Sequence, residues 1–223
     1  MQVRLFGELQ AMSGGVAVAI RGAKQRTLLA VLALAQGEPV SADRLIDVLW
    51  GDGLVTNPAN ALQAQIGQLR RTLGPAAIAT TEAGYALDVA PDDVDVVHFA
   101  QLVRTGRRLA NDGDAAQAST VLNAALALRR GEPLAEFTYA DFADADRARL
   151  LEVTIEAVEA RAEADLALGR DAELVGELED WCRRHPLRER LCELLMMALY
   201  RAGRQAEALR AYTSARDRLV DQL

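Results

Sequence analysis

Between Asn57 and Gly74 the apolar residues Leu62, Ile66, Leu69 and Leu73 recur at i, i+4, i+7 and i+11. At about 100° per residue this spacing makes one narrow buried stripe on a short helix. Opposite the stripe stand Asn60, Ala64, Gly67, Gln68 and Arg71, with Gln63 and Arg70 on one flank. Amide and guanidinium groups make bidentate contacts with base edges, and Ala and Gly let a backbone approach a groove closely. A polar face is also the ordinary consequence of burying the opposite one, so this helix takes its meaning from its neighbours.

Upstream, Val3, Leu5, Gly7 and Leu9 alternate with Arg4, Phe6 and Glu8, and after Gly14-Gly15 the residues Val16, Val18 and Ile20 alternate with alanines, predicting strand, turn, strand. The period then changes to helical from Lys24 to Gln36. Ser41 is a good N-cap for a second helix, Ala42 to Trp50, whose Leu45, Ile46, Leu49 and Trp50 read as core. A loop from Gly51 to Pro58 leads into the helix described first, and Ile78–Thr81 and Tyr85–Val89 form a hairpin around Glu82-Ala83-Gly84. Three short helices followed by a hairpin are the layout of a winged helix-turn-helix, whose third helix enters the major groove while the hairpin reaches the backbone or minor groove. Lys24 and Arg26 are either solvated or near phosphates, and Tyr85 either packs the hairpin or touches DNA; both readings stay open.

Pro91-Asp92-Asp93 marks a boundary between a first domain, residues 1–91, and a second, residues 92–223. The second reads as helices near 95–111, 114–129, 144–168, 171–184, 187–202 and 205–220. Gly169 and Gly203 lie 34 residues apart in the aligned segments LALGRDAELV and LYRAGRQAEALRAY, the period of a tetratricopeptide helix pair. NDGDAAQASTVL around Gly113 fits the same turn, so three helix pairs with an insertion after the first account for the segment. Trp181, Met196 and Met197 read as core. The acidic insertion 132–146, with Phe137, Tyr139 and Phe142, is either a partner contact or a loop tucked over the repeat core. The fold class is therefore mainly α with a small β component: a winged helix-turn-helix followed by a tetratricopeptide-like all-α repeat domain.

Composition narrows the function. The 223 residues carry a net charge of −7, which argues against a general polyanion binder. Residues 1–91 balance at zero and residues 92–223 hold the whole excess, so any nucleic-acid surface is local and lies in the first domain. Cys182 and Cys192 make no metal-ligand spacing with His98 or His185 and read as packed thiols in a reducing cytoplasm. No signal peptide or transmembrane run is recognisable, and the protein is expected in the cytoplasm, away from the membrane. No phosphate loop, HExxH or nucleophile elbow occurs, and carboxylates such as Glu156 and Glu159 lie on a charged helix face; neither catalysis, cofactor nor metal is expected.

The segments GAKQRTLLAVLAL, VSADRLIDVLWGD, NALQAQIGQLRRTLG and GYAL closely resemble the DNA-binding domain of the Streptomyces antibiotic regulatory protein family of transcriptional activators, a winged helix of the response-regulator type. LALGR through LRAY resembles the bacterial transcriptional activator domain that follows it in the same family. The resemblance implies binding to double-stranded promoter DNA, as direct repeats, and recruitment of RNA polymerase, with a homodimer on repeated sites as a further expectation. Asn60, Gln63, Ala64, Gly67, Gln68 and Arg71 are expected to face bases, Lys24, Arg26, Arg44 and Arg70 to lie near phosphates, and Thr81 and Tyr85 to contribute from the hairpin. The chain departs from the family where Gln68 replaces a basic residue and Thr81 and Ala86 replace arginines, which removes counterion release and implies weak binding by the isolated domain. The alternative is a tetratricopeptide adaptor or sensory module with a degenerate winged helix, forming the front of a larger regulator.

Overall fold

A computed structural model describes all residues except Asp52, Leu54 and Leu223, and all side chains except these and those of Leu219, Asp221 and Gln222. Asp52 and Leu54 belong to the loop expected between Gly51 and Pro58, which in that part lies outside the described residues. Contacts divide the chain into two compact units, Met1–Gln101 with Ala127–Glu152, and Leu102–Leu126 with Val153–Leu223.

The first unit opens with a three-stranded antiparallel sheet in the order β1 (Gln2–Arg4), β2 (Gln10–Ser13), β3 (Val16–Val18). Alternation predicts two strands here, with Val3 to Leu9 as one of them. The strand stops at Arg4 because the following backbone groups find partners outside the ladder. The carboxylate of Asp95 accepts from Leu5 N and Phe6 N, Gly7 N donates to Glu132 O, and Leu9 N donates to Glu136. The turn at Gly14-Gly15 is in place as a two-residue hairpin, since Ser13 pairs with Val16.

Helices α1 (Ala23–Leu34), α2 (Ala42–Trp50) and α3 (Pro58–Leu73) follow, then the hairpin β4 (Ile78–Thr81) and β5 (Gly84–Leu87). The N-caps of α2 and α3 have a sequence cause: Ser41 Oγ accepts from Arg44 N at 3.2 Å, and Asn57 Oδ1 accepts from Asn60 N at 3.0 Å, with Pro58 in the first turn. Leu62, Ile66 and Leu69 are buried and Leu73 half-buried, each full burial contributing about 1.5–3 kcal/mol. Leu45 and Leu49 are buried as expected, whereas Ile46 and Trp50 are half-buried at the edge of the core.

The hairpin is tied down from two sides. The loop between α1 and α2 forms a β-bridge with it, Val40 N donating to Tyr85 O at 2.8 Å and Tyr85 N to Val40 O at 2.9 Å. This closeness requires Gly84: its φ is 140°, and a Cβ there would lie 2.0 Å from Val40 O. Gly84→Ala is expected to push the hairpin off this bridge and disturb the neighbouring Ser41 cap, lowering stability by about 3 kcal/mol or more. Urea unfolding checks this, and an unchanged midpoint would contradict it.

The insertion belongs to the first unit rather than over the repeat core. Leu134 N donates to Leu5 O, Pro133 bridges Phe6, and Phe137 is buried with its ring 5.3 Å from that of Phe142. Tyr139 is fully exposed.

Six further α-helices among the described residues are α4 (Asp95–Asn111), α5 (Ala115–Ala127), α6 (Asp141–Ala167), α7 (Asp171–Arg184), α8 (Glu189–Arg201) and α9 (Gln205–Gln222). Helices α4 and α6 begin in the first unit and end in the second. Three pairs close with one turn. Asp114 N, Arg170 N and Arg204 N donate to Leu109 O, Asp165 O and Leu199 O, across Gly113, Gly169 and Gly203 at φ 85°, 76° and 77°. This is the glycine-terminated helix end in which a left-handed residue lets the chain fold back on itself. Inside the second unit, Gly106 admits Leu122, whose Cγ would lie 2.5 Å from a Cβ at that position. The buried carboxylate of Asp165 accepts from Ser119 Oγ at 2.6 Å, Arg170 Nη1 at 3.0 Å and Arg161 Nη1 at 3.2 Å, joining α5 to α6. Trp181 is buried as expected, but Met196 is half-buried and Met197 exposed. Cys182 and Cys192 are buried free thiols. No helix among the described residues is long and apolar enough to cross a membrane.

Candidate nucleic-acid interface

Burial of Leu62, Ile66 and Leu69 turns Asn60, Gln63, Ala64, Gln68 and Arg71 outward, where all five are exposed, with Gly67 and Arg70 half-buried. Among the described residues no group holds the side chains of Asn60, Gln63, Gln68 or Arg71 in a hydrogen bond. Gly67 stands in the helix interior with nothing within 4 Å of a would-be Cβ, so internal packing does not demand a glycine, which costs about 1 kcal/mol relative to alanine.

The cations divide into free and committed. Arg70 donates through Nε and Nη2 to Ile78 O at 3.0 and 2.7 Å, and through Nη2 to Thr80 Oγ1 at 2.7 Å. Its fork thereby fixes β4 to the end of α3. Arg26 is held by the carboxylate of Glu136 and by Leu9 O at 2.7 Å, joining α1 to the insertion and the sheet. Lys24 is exposed with Nζ 4.6 Å above the Trp50 ring, which orients the ammonium without neutralising it. Arg44 is exposed, 3.8 Å from Asp47. On the hairpin, Thr81 Oγ1 donates to Gly84 O at 3.2 Å and closes the turn, while half-buried Tyr85 takes part through its paired backbone. The structure thus gathers the amides and Arg71 on one open face, and gives Arg26 and Arg70 internal partners.

Sequence reading missed Gln25, which is buried and donates through Nε2 to Gln65 O at 3.1 Å and Gln65 Oε1 at 2.5 Å, locking α1 to α3. The signal was present: Gln25, Leu28, Leu29 and Leu32 follow the i, i+3, i+4, i+7 spacing of a buried stripe.

The hydrogen bond from Arg26 holds the Glu136 carboxyl below its ordinary value of 4.5, aided by the Leu9 amide and opposed by burial. A carboxyl lowered in the folded state adds stability that is complete above pH 4.5 and is lost as pH falls through the folded value. Glu136→Gln is therefore expected to be less stable than wild type at pH 7, and this difference to shrink in acid. Urea midpoints at pH 7 and pH 4 measure it; a constant difference would show that the ion pair is not the source.

This geometry meets its counterpart in known proteins. Residues 94–223 match the family described as bacterial transcriptional activator domain, and residues 19–87 match the C-terminal domain of transcriptional regulatory proteins. The regulatory protein DnrI of Streptomyces peucetius is 36% identical over 234 residues, covering 100% of this chain and 86% of its own length. The chain belongs to the Streptomyces antibiotic regulatory protein family. A second member, the regulatory protein AfsR of Streptomyces griseus, is 35% identical over 223 residues, and the chain spans 23% of it. The structure of Mycobacterium tuberculosis EmbR in complex with a low-affinity phosphopeptide superposes with a TM-score of 0.94 at 32% identity, covering 100% of this chain and 60% of that one. The chain thus spans under a quarter of AfsR and most of DnrI. Family membership accounts for the winged helix and for the helical pairs together.

Proposed function

We propose that this protein is a sequence-specific, cytoplasmic transcriptional activator, with residues 1–91 reading promoter DNA and residues 92–223 acting on other proteins. The observation that carries the reading is the open face of α3, where Asn60, Gln63, Gln68 and Arg71 project with no side-chain partner among the described residues. Amides suit adenine and a guanidinium suits guanine in the major groove. Gly67, which packing does not explain, leaves a flat spot where backbone and groove can meet closely. Lys24 and Arg44 take phosphate positions; Arg26 and Arg70 act one step back, by holding α1 and the hairpin in place. Thr81 and Tyr85 keep the hairpin in register for the backbone beside α3.

With so few uncommitted cations the affinity of one domain is low, so direct repeats, a homodimer or RNA polymerase supply the remainder through effective concentration. No residue has a catalytic role in this reading, consistent with relatives named as transcriptional regulators. The same shortage of cations motivates the second reading, a helical adaptor whose winged helix no longer binds DNA.

Selection of genomic fragments on the immobilised full chain separates the two. The activator reading expects enrichment of a repeated motif, and an affinity that falls with added salt at a shallow slope of about two to four phosphates. Failure to enrich any sequence would leave the adaptor.

A further inference from the structure

Cys182 and Cys192 take no part in the open face of α3, yet the fold brings their side chains together. Helix α7 buries Leu174, Val175, Leu178, Trp181 and Cys182, and α8 buries Leu191, Cys192, Leu194, Leu195 and Ala198. The two helices are joined by the turn 185–188, which Arg188 N closes by donating to His185 O at 3.0 Å. Cys182 stands just before α7 ends and Cys192 just after α8 begins, so both lie in the buried layer nearest that turn, one on each helix. Their side chains are hydrogen-bonded to one another, and each residue is 5% exposed.

A third helix adds a cation. Arg218 on α9 lies near enough to favour a thiolate at either sulfur. A packed thiol gains nothing from a neighbouring guanidinium, whereas a thiolate is stabilised by it. The hydrogen bond from Cys182 lowers the Cys192 thiol from 9.0 to about 7, against burial, with Arg218 assisting and Glu189 and Glu193 opposing. The same bond and burial raise Cys182, which keeps its proton. The pair thus holds one thiol disposed to attack and a second in contact with it, the arrangement of a redox-active dithiol rather than of two core-filling side chains.

We infer that Cys192 and Cys182 form a site of reversible oxidation by a small hydroperoxide, with Cys192 attacking, Cys182 resolving and Arg218 favouring the attacking form. The Cys192 thiolate attacks the peroxide: an S–O bond forms, the O–O bond breaks, and the leaving oxygen takes up the proton that Cys192 had lost. Cys192 is then a sulfenic acid. Cys182 attacks that sulfur, an S–S bond forms, the S–O bond breaks, and the hydroxyl departs with the Cys182 proton as water. The sulfurs together lose two electrons and the peroxide gains them. Burial selects the oxidant, since a molecule near the size of water reaches a sulfur that a tripeptide disulfide, with its backbone, does not. Closing a bond of about 2.05 Å draws the adjoining ends of α7 and α8 together, and Arg188 in their turn also grips Glu159 of α6 at 2.8 and 3.1 Å, so the change is passed to a third helix. In a reducing compartment the dithiol is the resting form, and thiol–disulfide exchange restores it. The inference does not depend on the DNA-reading proposal, because none of the three residues is assigned to that face.

The test exposes the full reduced chain near neutral pH to hydrogen peroxide, counts thiols after denaturation and maps the digest by mass spectrometry. Both thiols are expected to disappear together, the two cysteine-bearing peptides to be joined within one chain, and dithiothreitol to restore them. Cys182→Ala is expected to stop at a Cys192 sulfenic acid that dimedone traps, and Cys192→Ala to lose its remaining thiol about tenfold more slowly. Arg218→Ala should slow the reaction of the otherwise unchanged chain about fivefold or more, and Arg218→Lys should recover most of the rate, because charge rather than packing is what acts. Two thiols that survive peroxide in the folded chain overturn the proposal, as does a crosslink formed only between chains, or equal rates for Cys182→Ala and Cys192→Ala. A disulfide formed by oxidised glutathione but not by peroxide overturns the assignment of the oxidant.

Discussion

Arg71→Ala is expected to abolish sequence-specific protection of promoter DNA in footprinting while leaving far-ultraviolet circular dichroism and the urea midpoint unchanged. Its guanidinium is exposed on the middle of the open face of α3 and has no partner among the described residues, so the fold has nothing to lose. A bidentate hydrogen bond to a base is worth about 1–3 kcal/mol of discrimination, and every phosphate left unneutralised also lowers the salt slope by about one. In a protein with few free cations that deficit is enough to merge specific with non-specific binding. Arg70→Ala gives the opposite signature. It removes three hydrogen bonds to Ile78 O and Thr80 Oγ1, so it is expected to lower the urea midpoint and to weaken DNA binding through the displaced hairpin. Retained protection by Arg71→Ala at the wild-type concentration would remove α3 from the role of reader.

These adjacent arginines show how far the sequence carries. Periodicity places both on the polar side of α3, because the positions of Leu62, Ile66 and Leu69 fix which side is buried. It cannot show that Arg70 folds back eight residues along the chain to the carbonyl of Ile78, since that depends on where Gly74 and Pro75 turn the chain. The same holds for Arg26, whose partner Glu136 lies 110 residues away. Local signals, namely the Ser41 and Asn57 caps, the Gly14-Gly15 hairpin and the three glycine turns, are written in neighbouring residues and are legible there. Non-local ones are not: β1 ends at Arg4 only because Asp95, Glu132 and Glu136 compete for the amides of residues 5–9, and no pattern within those residues records it. The insertion illustrates the same limit, since its composition suits a free acidic loop equally well. Hydropathy has the same limit at Met197, which belongs to a helical apolar run and reads as core, yet is exposed on α8.

Asp95→Ala is expected to be the most damaging single substitution in the first unit. Asp95 is 9% exposed and its two oxygens accept from three amides: Oδ1 from Leu5 N at 2.6 Å and Val96 N at 2.8 Å, Oδ2 from Phe6 N at 3.1 Å. It thereby supplies the ladder partner that residues 5 and 6 lack and holds the sheet to the first turn of α4, where Phe6 meets Phe99 edge-on at 5.2 Å. Alanine leaves Leu5 N and Phe6 N buried without an acceptor, at about 1–3 kcal/mol each, for a total of about 3–5 kcal/mol. Asparagine keeps one acceptor for Leu5 and Val96 but points an amide N–H at Phe6 N, so its loss is smaller, about 1–3 kcal/mol. Burial raises the Asp95 carboxyl above its ordinary 3.8, against the pull of the Leu5 and Phe6 amides and of Arg130. Between 3.8 and that raised value the folded protein binds more protons than the unfolded chain, so this group lowers stability as pH rises through the window and adds no further slope above it. The Asp95→Asn protein lacks this slope, and its deficit relative to wild type is therefore largest in acid and narrows to a constant near neutrality. Urea unfolding from pH 3.5 to pH 7 reads both effects; an Asp95→Ala midpoint equal to wild type would show that the amides of residues 5 and 6 find water instead, and that the sheet does not depend on this carboxylate.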